Sequence, residues 1–483
     1  MRPLEILLTV ALLPYIIHLL SPSRGESLVF NVLPIIAALL VICHLVTEGY
    51  RWQMLPAYGL TAIFVGYELA RWFFDISASY YTTYCAGLAA LILEFATIGL
   101  STALPIFTLP TPTGPYAIAT DIRHLVDKSR QDRFSDRPDG ARELMIQIWY
   151  PAAGSERGPL APYVDKRITS LWDSRLALVK THAHLRGRLS HSQSKYPLLL
   201  YAPSWIGLRT ESTIQVEELA SHGYIVVTID HPFLSSVTIF PDGRIARRKF
   251  SGDEDYSSQA AFERFIRTAD EQVEIRSRDV SFVLDSLEKL DANDPAGLLT
   301  GHIELGSIGI FGSSFGGTTA AETCWLDQRF KAGADLDGMI AGASLKRGTR
   351  VPFLFMFEND DPALSPEIDL ARLEPARRRE IEFTRGQFAR VKDSLSKYGG
   401  YWMTIQKANH LNFFDFPFFS PLKQPNVDPT TVSRIIGRYL LAFFDKHLMG
   451  IEQGVLENSK DGPDTSIQVW RPNAAVQHAI SLH

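Results

Sequence analysis

The first 110 residues hold four arginines, no lysine and six acidic residues, whereas the rest of the 483-residue chain is densely charged. The two parts suit different solvents, and this asymmetry limits the possible folds more than any motif does. Four apolar stretches follow one another in the first part, roughly 4–20, 28–46, 55–74 and 84–107. A helix needs about 20 apolar residues to cross a bilayer core, and each stretch is near that length. Polar connectors such as SPSRGES and TEGYRWQ separate them, with Arg, Trp and Tyr where interfacial anchors sit. Four membrane spans within residues 1–110 are therefore expected. A cleaved signal peptide is the rival reading of the first stretch. Glu5 in its n-region, the want of a small-x-small cleavage site and the further apolar stretches argue against it.

Glu68 and Arg71 lie three apart on one helical face and read as a pair near a helix end. Glu94 lies mid-stretch without an obvious partner, and intramembrane charge is costly enough to stand out. An even number of spans puts both ends of the segment on one side. Arg2, Arg51, Arg123, Lys128 and Arg130 would face that side, with Arg24 and Arg71 toward the other. The positive-inside rule then puts the hydrophilic part in the cytoplasm.

LPTPTGPYA (Leu109–Ala117) cannot continue a helix and marks a boundary. The expected organisation is a transmembrane helical segment over 1–110, a catalytic domain over 111–450 and a tail over 451–483. Beyond the linker, short apolar runs alternate with amphipathic helical stretches. The runs are 144–150, 197–202, 224–230, 307–312, 330–336, 352–358 and 401–406. Continuous apolar strands separated by helices indicate an α/β fold, a mostly parallel sheet covered on both faces. Active sites on such sheets gather at the carboxyl ends of the strands.

FGSSFGG (Phe311–Gly317) follows one of these strands and opens a small-residue helix. The template G-x-S-x-G fits in one register, Gly312-Ser313-Ser314-Phe315-Gly316, so Ser314 is the candidate nucleophile. A serine hydroxyl needs a base to take its proton, and the base needs a carboxylate to orient it. Downstream histidines are His410, His447, His478 and His483. His447 falls in the closing helix and the last two in the tail, while His410 follows a strand, in KANHLNFFDF. For the acid, Asp337 ends the strand after the elbow helix, and Asp360 and Asp361 follow the next strand. Order along the chain accepts either location. One oxyanion donor should be the backbone N–H of Phe315, directly after the nucleophile. His231 and Asp230, at the end of another strand, read as structural.

GPYAI, IWYP, LRTESTIQVEELASHGYIVVTIDH, IGIFGSSFGGTTAAE, DQRFKAGADLDGM and NHLNFFDF together carry a resemblance. From about Gly114 to Met449 the chain resembles the secreted and cytosolic platelet-activating-factor acetylhydrolases, which have the α/β-hydrolase fold. The resemblance implies Asp337 as the catalytic acid and His410 as the base. It also implies the Trp205 N–H as the second oxyanion donor, from the loop PSWIGLRT. In that loop Pro203-Ser204 stands where the family has a histidine-glycine pair.

Two insertions, 151–196 and 232–268, are candidates for the substrate wall. A basic, helical insert over 366–400 reads as a solvated face between the last two strands. No P-loop, dinucleotide or H-E-x-x-H motif is present, so no nucleotide cofactor or metal is implied. A net charge of −5 gives no footprint for nucleic acid, and the three cysteines form no ligand spacing. The chain therefore reads as a membrane-anchored serine esterase acting on short or truncated acyl esters, phospholipid-like by resemblance. A general carboxylesterase, thioesterase or acyl-transfer enzyme is the alternative within enzymes, and an inactive membrane receptor or scaffold the one outside them.

Overall fold

The computed structural model describes residues 1–22, 28–76, 78–135, 140–154, 158–169, 174–250, 254–420, 428–457 and 465–471. They fall into two compact units. One comprises 1–108, 164–179 and 418–424, the other 109–163, 180–417 and 425–483.

In the first unit four helices, α1 (Pro3–Leu20), α2 (Leu28–Thr47), α3 (Leu55–Phe74) and α4 (Tyr80–Ala103), pack through Leu8, Leu12, Ile16, Leu60 and Phe64. A short turn α5 (Lys166–Thr169) joins them from later in the chain. Among the described residues three helices, α1, α2 over Val29–Thr47 and α4, are long and apolar enough to cross a membrane, not the four expected. The exception is α3, whose last two turns carry Glu68 and Arg71, an ion pair at 3.2 Å. The Tyr15 hydroxyl also donates to Glu68, at 2.5 Å. Arg51 is buried and donates to both Glu5 oxygens, at 2.7 and 2.9 Å, and to Ser101 O at 2.9 Å. Glu94 is buried, and neither of its oxygens has a partner among the described residues. The returning segments are tied to the end of α4. Arg175 donates to Pro105 O at 2.9 Å and Phe419 O at 3.0 Å, and Ser420 donates to Ala103 O at 2.7 Å.

The second unit is built on a sheet of eleven strands. In chain order they are β1 (Ala117–Gln131), β2 (Ala141–Ala152), β3 (Leu160–Pro162), β4 (Lys180–Leu185), β5 (Tyr196–Ala202), β6 (Ile225–Asp230), β9 (Ile303–Ser313), β10 (Phe330–Leu336), β11 (Phe353–Glu358), β12 (Gly400–Ile405) and β13 (Thr465–Trp470). A separate hairpin pairs β7 (Val237–Ile239) with β8 (Ile245–Arg247). The order across the sheet is β13-β12-β11-β10-β9-β5-β6-β2-β1-β4-β3. Strands β6, β5, β9, β10, β11 and β12 run parallel, each beside the next. β2 and β13 run antiparallel to their neighbours. All seven expected strands lie in this sheet. Within residues 451–483, Thr465–Trp470 adds an edge strand beside β12.

Apolar side chains cover both faces of the sheet. On one face it meets α7 (Gln259–Ala292), α8 (Phe315–Leu326) and α10 (Pro375–Tyr398), through Val280, Leu284, Ala320, Val391 and Leu395. On the other it meets α6 (Thr213–Ser221) and α11 (Pro429–Phe444), through Val216, Leu219, Ile436, Leu440 and Phe443. A four-residue helical turn, α9 (Ser344–Arg347), lies between β10 and β11. The chain leaves β5 toward β6, returns through α7 and enters β9 on the other side of β5. This reversal opens a crevice between β5 and β9 at their carboxyl ends, where ligands bind in sheets of this kind.

Candidate active site

Ser314 follows β9 directly, with φ 55° and ψ −124°, a conformation that costs a non-glycine residue about 1–3 kcal/mol. Its N–H donates to Leu336 O at 2.8 Å, which fastens the turn to β10. The flanking glycines have steric reasons to be there. A Cβ on Gly312 would come 2.2 Å from the Gly316 carbonyl carbon, and one on Gly316 would come 2.0 Å from Ala202 O. The elbow helix thus starts against the end of β5, closer than a side chain permits. The two serines have separate environments. Ser313 is fully buried and donates to Phe413 O at 3.0 Å, beside Tyr201 and Ser212. Ser314 is only partly buried, makes no side-chain cap and lines a cavity.

Asp337 follows β10 in a left-handed conformation, φ 63°. Its Oδ1 accepts from the Glu358 N–H at 3.0 Å, and its Oδ2 lies 2.6 Å from His410 Nδ1. The other two acids are engaged elsewhere: Asp361 accepts from the Ala363 N–H at 2.7 Å and Asp360 from Asn359 at 3.4 Å. His410 opens a short helical turn capped by Asn409, which accepts from the Leu411 N–H at 3.0 Å. The same loop is pinned farther on by Asp415, whose carboxylate accepts from the Thr213 N–H at 2.8 Å and the Tyr163 hydroxyl at 3.0 Å. Burial works against a charged His410 imidazole, but the Asp337 hydrogen bond and the charges of Asp337, Glu358 and Glu254 raise its pKa above the ordinary value. Burial, with the charges of Asp337 and Asp361, pushes Glu358 up to about 7.

Trp205, in the loop after β5, and Phe315, at the start of α8, meet edge to face with ring centroids 4.4 Å apart. Ser314, Asp337, His410, Trp205 and Phe315 all line one cavity of about 560 Å³. Tyr256, Phe262 and Phe265 from the 232–268 insertion form part of its wall, as expected of that insertion. The 151–196 insertion contributes no described residue to it. The helical insert is a correction: α10 is not simply a solvated face, since Glu380, Phe383, Thr384, Gln387 and Phe388 line the cavity. Six carboxylates line it, those of Glu254, Asp270, Asp337, Glu358, Asp361 and Glu380, with no Lys or Arg among the described lining residues. Glu380 is paired outward with Arg377 at 2.6 Å.

Sequence reasoning missed Arg276 and Glu211, both buried behind the Trp205 loop. Arg276 falls three residues after Val273 and four before Val280, on the apolar face of α7, and that spacing was the available signal. His231 and Asp230 lie in buried ion networks, His231 Nδ1 2.8 Å from Asp279 and Asp230 accepting from the Arg209 N–H at 2.7 Å. Burial pushes His231 down to about 4.

Residues 145–467, more than half of the chain, match the model of the platelet-activating factor acetylhydrolase, isoform II, family. The chain belongs to that family. A probable 1-alkyl-2-acetylglycerophosphocholine esterase of Arthroderma benhamiae is 26% identical over 50% of this chain and 62% of its own length. The platelet-activating factor acetylhydrolase of Canis lupus familiaris is 25% identical over 53% of this chain and 57% of its own, and that of Cavia porcellus 24% over 71% and 78%. The match thus spans about three fifths of the first two relatives. A ferulic acid esterase from Streptomyces cinnamoneus has a similar structure, with a TM-score of 0.58 and 26% identity over 77% of this chain and 98% of its own. The family and this likeness identify the fold of the second unit as that of the α/β-hydrolases.

Proposed function

We propose that the chain is a membrane-anchored serine esterase that hydrolyses short or truncated acyl esters of phospholipid type through an acyl-Ser314 intermediate. The observation that carries this is a strained, uncapped Ser314 sharing one cavity with a His410–Asp337 pair at 2.6 Å. His410 Nε2 takes the Ser314 proton as Oγ attacks the ester carbonyl. Asp337 holds the imidazole by Nδ1 and stabilises the imidazolium. The carbonyl oxygen, now negative, receives the N–H groups of Trp205 and Phe315. Collapse of the tetrahedral centre expels the alcohol, which leaves with the proton from His410. Water then repeats the sequence on the acyl-serine, releasing the acid and restoring Ser314. The names of the relatives support the phospholipid-type substrate.

The helices of residues 1–110 anchor the enzyme, the domain over 111–450 catalyses, and the segment over 451–483 adds the edge strand β13 to its sheet. The helices α1, α2 and α4 are long and apolar enough to cross the membrane, and the basic residues Arg2, Arg51, Arg123, Lys128 and Arg130 favour a cytoplasmic catalytic domain. The test is hydrolysis of p-nitrophenyl acetate and of a phosphatidylcholine with a short sn-2 acyl group. Wild type should cleave both, and Ser314→Ala should lose about 10⁴-fold or more in kcat. Cleavage of the nitrophenyl ester alone would remove the phospholipid preference, and cleavage of neither would remove the esterase reading.

A further inference from the structure

An oxyanion hole needs two N–H groups aimed at one point, and in the loop supplying the first, Pro203-Ser204 precedes Trp205 and the Gly207 N–H closes the turn onto Ser204 O at 3.0 Å. Three successive carbonyls of this loop converge on one side chain. The fully buried Arg276 donates Nη1 to Pro203 O at 2.8 Å and Ser204 O at 2.9 Å, and Nη2 to Trp205 O at 2.6 Å.

A trans peptide is planar, and its C=O and N–H point in opposite directions. Carbonyls held toward Arg276 therefore turn the N–H groups of the same peptides away from it. The Ser204 N–H, in the peptide whose carbonyl is Pro203 O, donates on that far side to Glu211 Oε1 at 2.5 Å. The Trp205 N–H shares its peptide with Ser204 O and is turned by the same rule. Among the described residues it meets no acceptor, which leaves it for a ligand. The second donor is tied to the same cation. The Arg276 guanidinium carbon lies 5.2 Å from the centroid of the Phe315 ring, whose own N–H begins the elbow helix.

We propose that Arg276 is the positioning residue that sets the oxyanion hole, fixing the direction of the Trp205 N–H and the place of Phe315. The inference rests on Ser314 being the nucleophile. The guanidinium fork meets three acceptors of this loop that an ammonium cannot reach together. Its charge also lies at the carbonyl ends of the peptide dipoles, which strengthens the donors at their other ends.

Arg276→Lys and Arg276→Gln are compared with wild type for kcat and KM on p-nitrophenyl acetate and for thermal unfolding. Inhibition by an alkyl trifluoromethyl ketone is measured as well, since its serine adduct puts an oxyanion in the hole. Folded variants should lose about 10²–10³-fold in kcat, the range for one lost oxyanion donor, with KM changed less than about 3-fold. Ketone affinity should fall by a similar factor, which a merely structural role would not produce. A folded variant with kcat within about 5-fold of wild type, or with unchanged ketone affinity, overturns the inference. Should both variants fail to fold, Phe315→Leu keeps the arginine and the N–H but removes the ring. It should lose about 10-fold in kcat and in ketone affinity together, and no loss in either overturns the inference. Wild type that neither cleaves the ester nor reacts with a fluorophosphonate would instead remove the reading of Ser314 itself.

Discussion

Replacing Gly316 by alanine adds one methyl group where the elbow helix begins against β5. That Cβ would come 2.0 Å from Ala202 O, 2.8 Å from Ala202 C and 2.9 Å from Pro203 O, all backbone atoms with no side chain to swing aside. Real Cβ contacts are not found below 3.0 Å, so helix and strand end must separate. The separation needed is about 1 Å, enough to cost on the order of 10²-fold in rate when it displaces groups around the reacting atoms. It falls between the Trp205 loop and Phe315, the two proposed donors to the oxyanion. Overpacking of this size also costs about 1–3 kcal/mol of stability, a drop of about 2–10 °C in Tm. The assay is kcat and KM on p-nitrophenyl acetate with thermal unfolding of each variant. Gly386→Ala is the control, a helical glycine on α10 whose added Cβ meets nothing within 4 Å. It should keep wild-type kcat and gain up to about 1 kcal/mol from helix propensity. A Gly316→Ala variant with wild-type kcat and Tm would refute the argument that this close approach aligns the donors.

The pH dependence of kcat/KM should rise with pH as His410 becomes the neutral base, with a midpoint above the ordinary histidine value because its pKa is raised. Glu358→Gln removes one negative neighbour and should move that midpoint to lower pH; a shift upward or none would contradict the assignment of the base. Asp337→Asn should lower kcat about 10⁴-fold, whereas Asp361→Asn, whose carboxylate caps its own turn, should stay within about 10-fold of wild type. The carboxylate-lined cavity should favour esters with a cationic leaving group over anionic ones of the same shape, by about 10-fold or more in kcat/KM at low salt. Equal rates at low salt would show that the reacting ester does not feel those carboxylates.

Much of this architecture is written locally. Runs such as Phe330–Leu336 are apolar throughout and bounded by helices, so they read as buried parallel strands, and that one keeps its bounds to the residue. Ser314 is legible because the elbow is a local motif whose glycines serve contacts at either side. What escaped depends on partners distant in sequence. β1 carries Arg123, Asp127 and Lys128 along an antiparallel ribbon, so no continuous apolar run announces it. The charge-rich α10 reads as solvated until its Phe383 and Phe388 face is set against the cavity. Arg276 stands on the apolar face of its helix without a visible partner until three carbonyls some seventy residues earlier are brought to it. In the first unit, Glu5 looks like a flaw in an apolar stretch until Arg51 closes on it at 2.7 Å.

Fluorophosphonate labelling of the full chain, with the modified serine located by peptide mass mapping, tests the central claim most directly. Ser314 should carry the label in wild type. Labelling should vanish in Ser314→Ala and persist in Ser313→Ala, whose lost hydroxyl serves buried contacts with Phe413 O, Tyr201 and Ser212. Folded wild-type protein that takes no label, or a label that survives Ser314→Ala and is lost with Ser313, would contradict it.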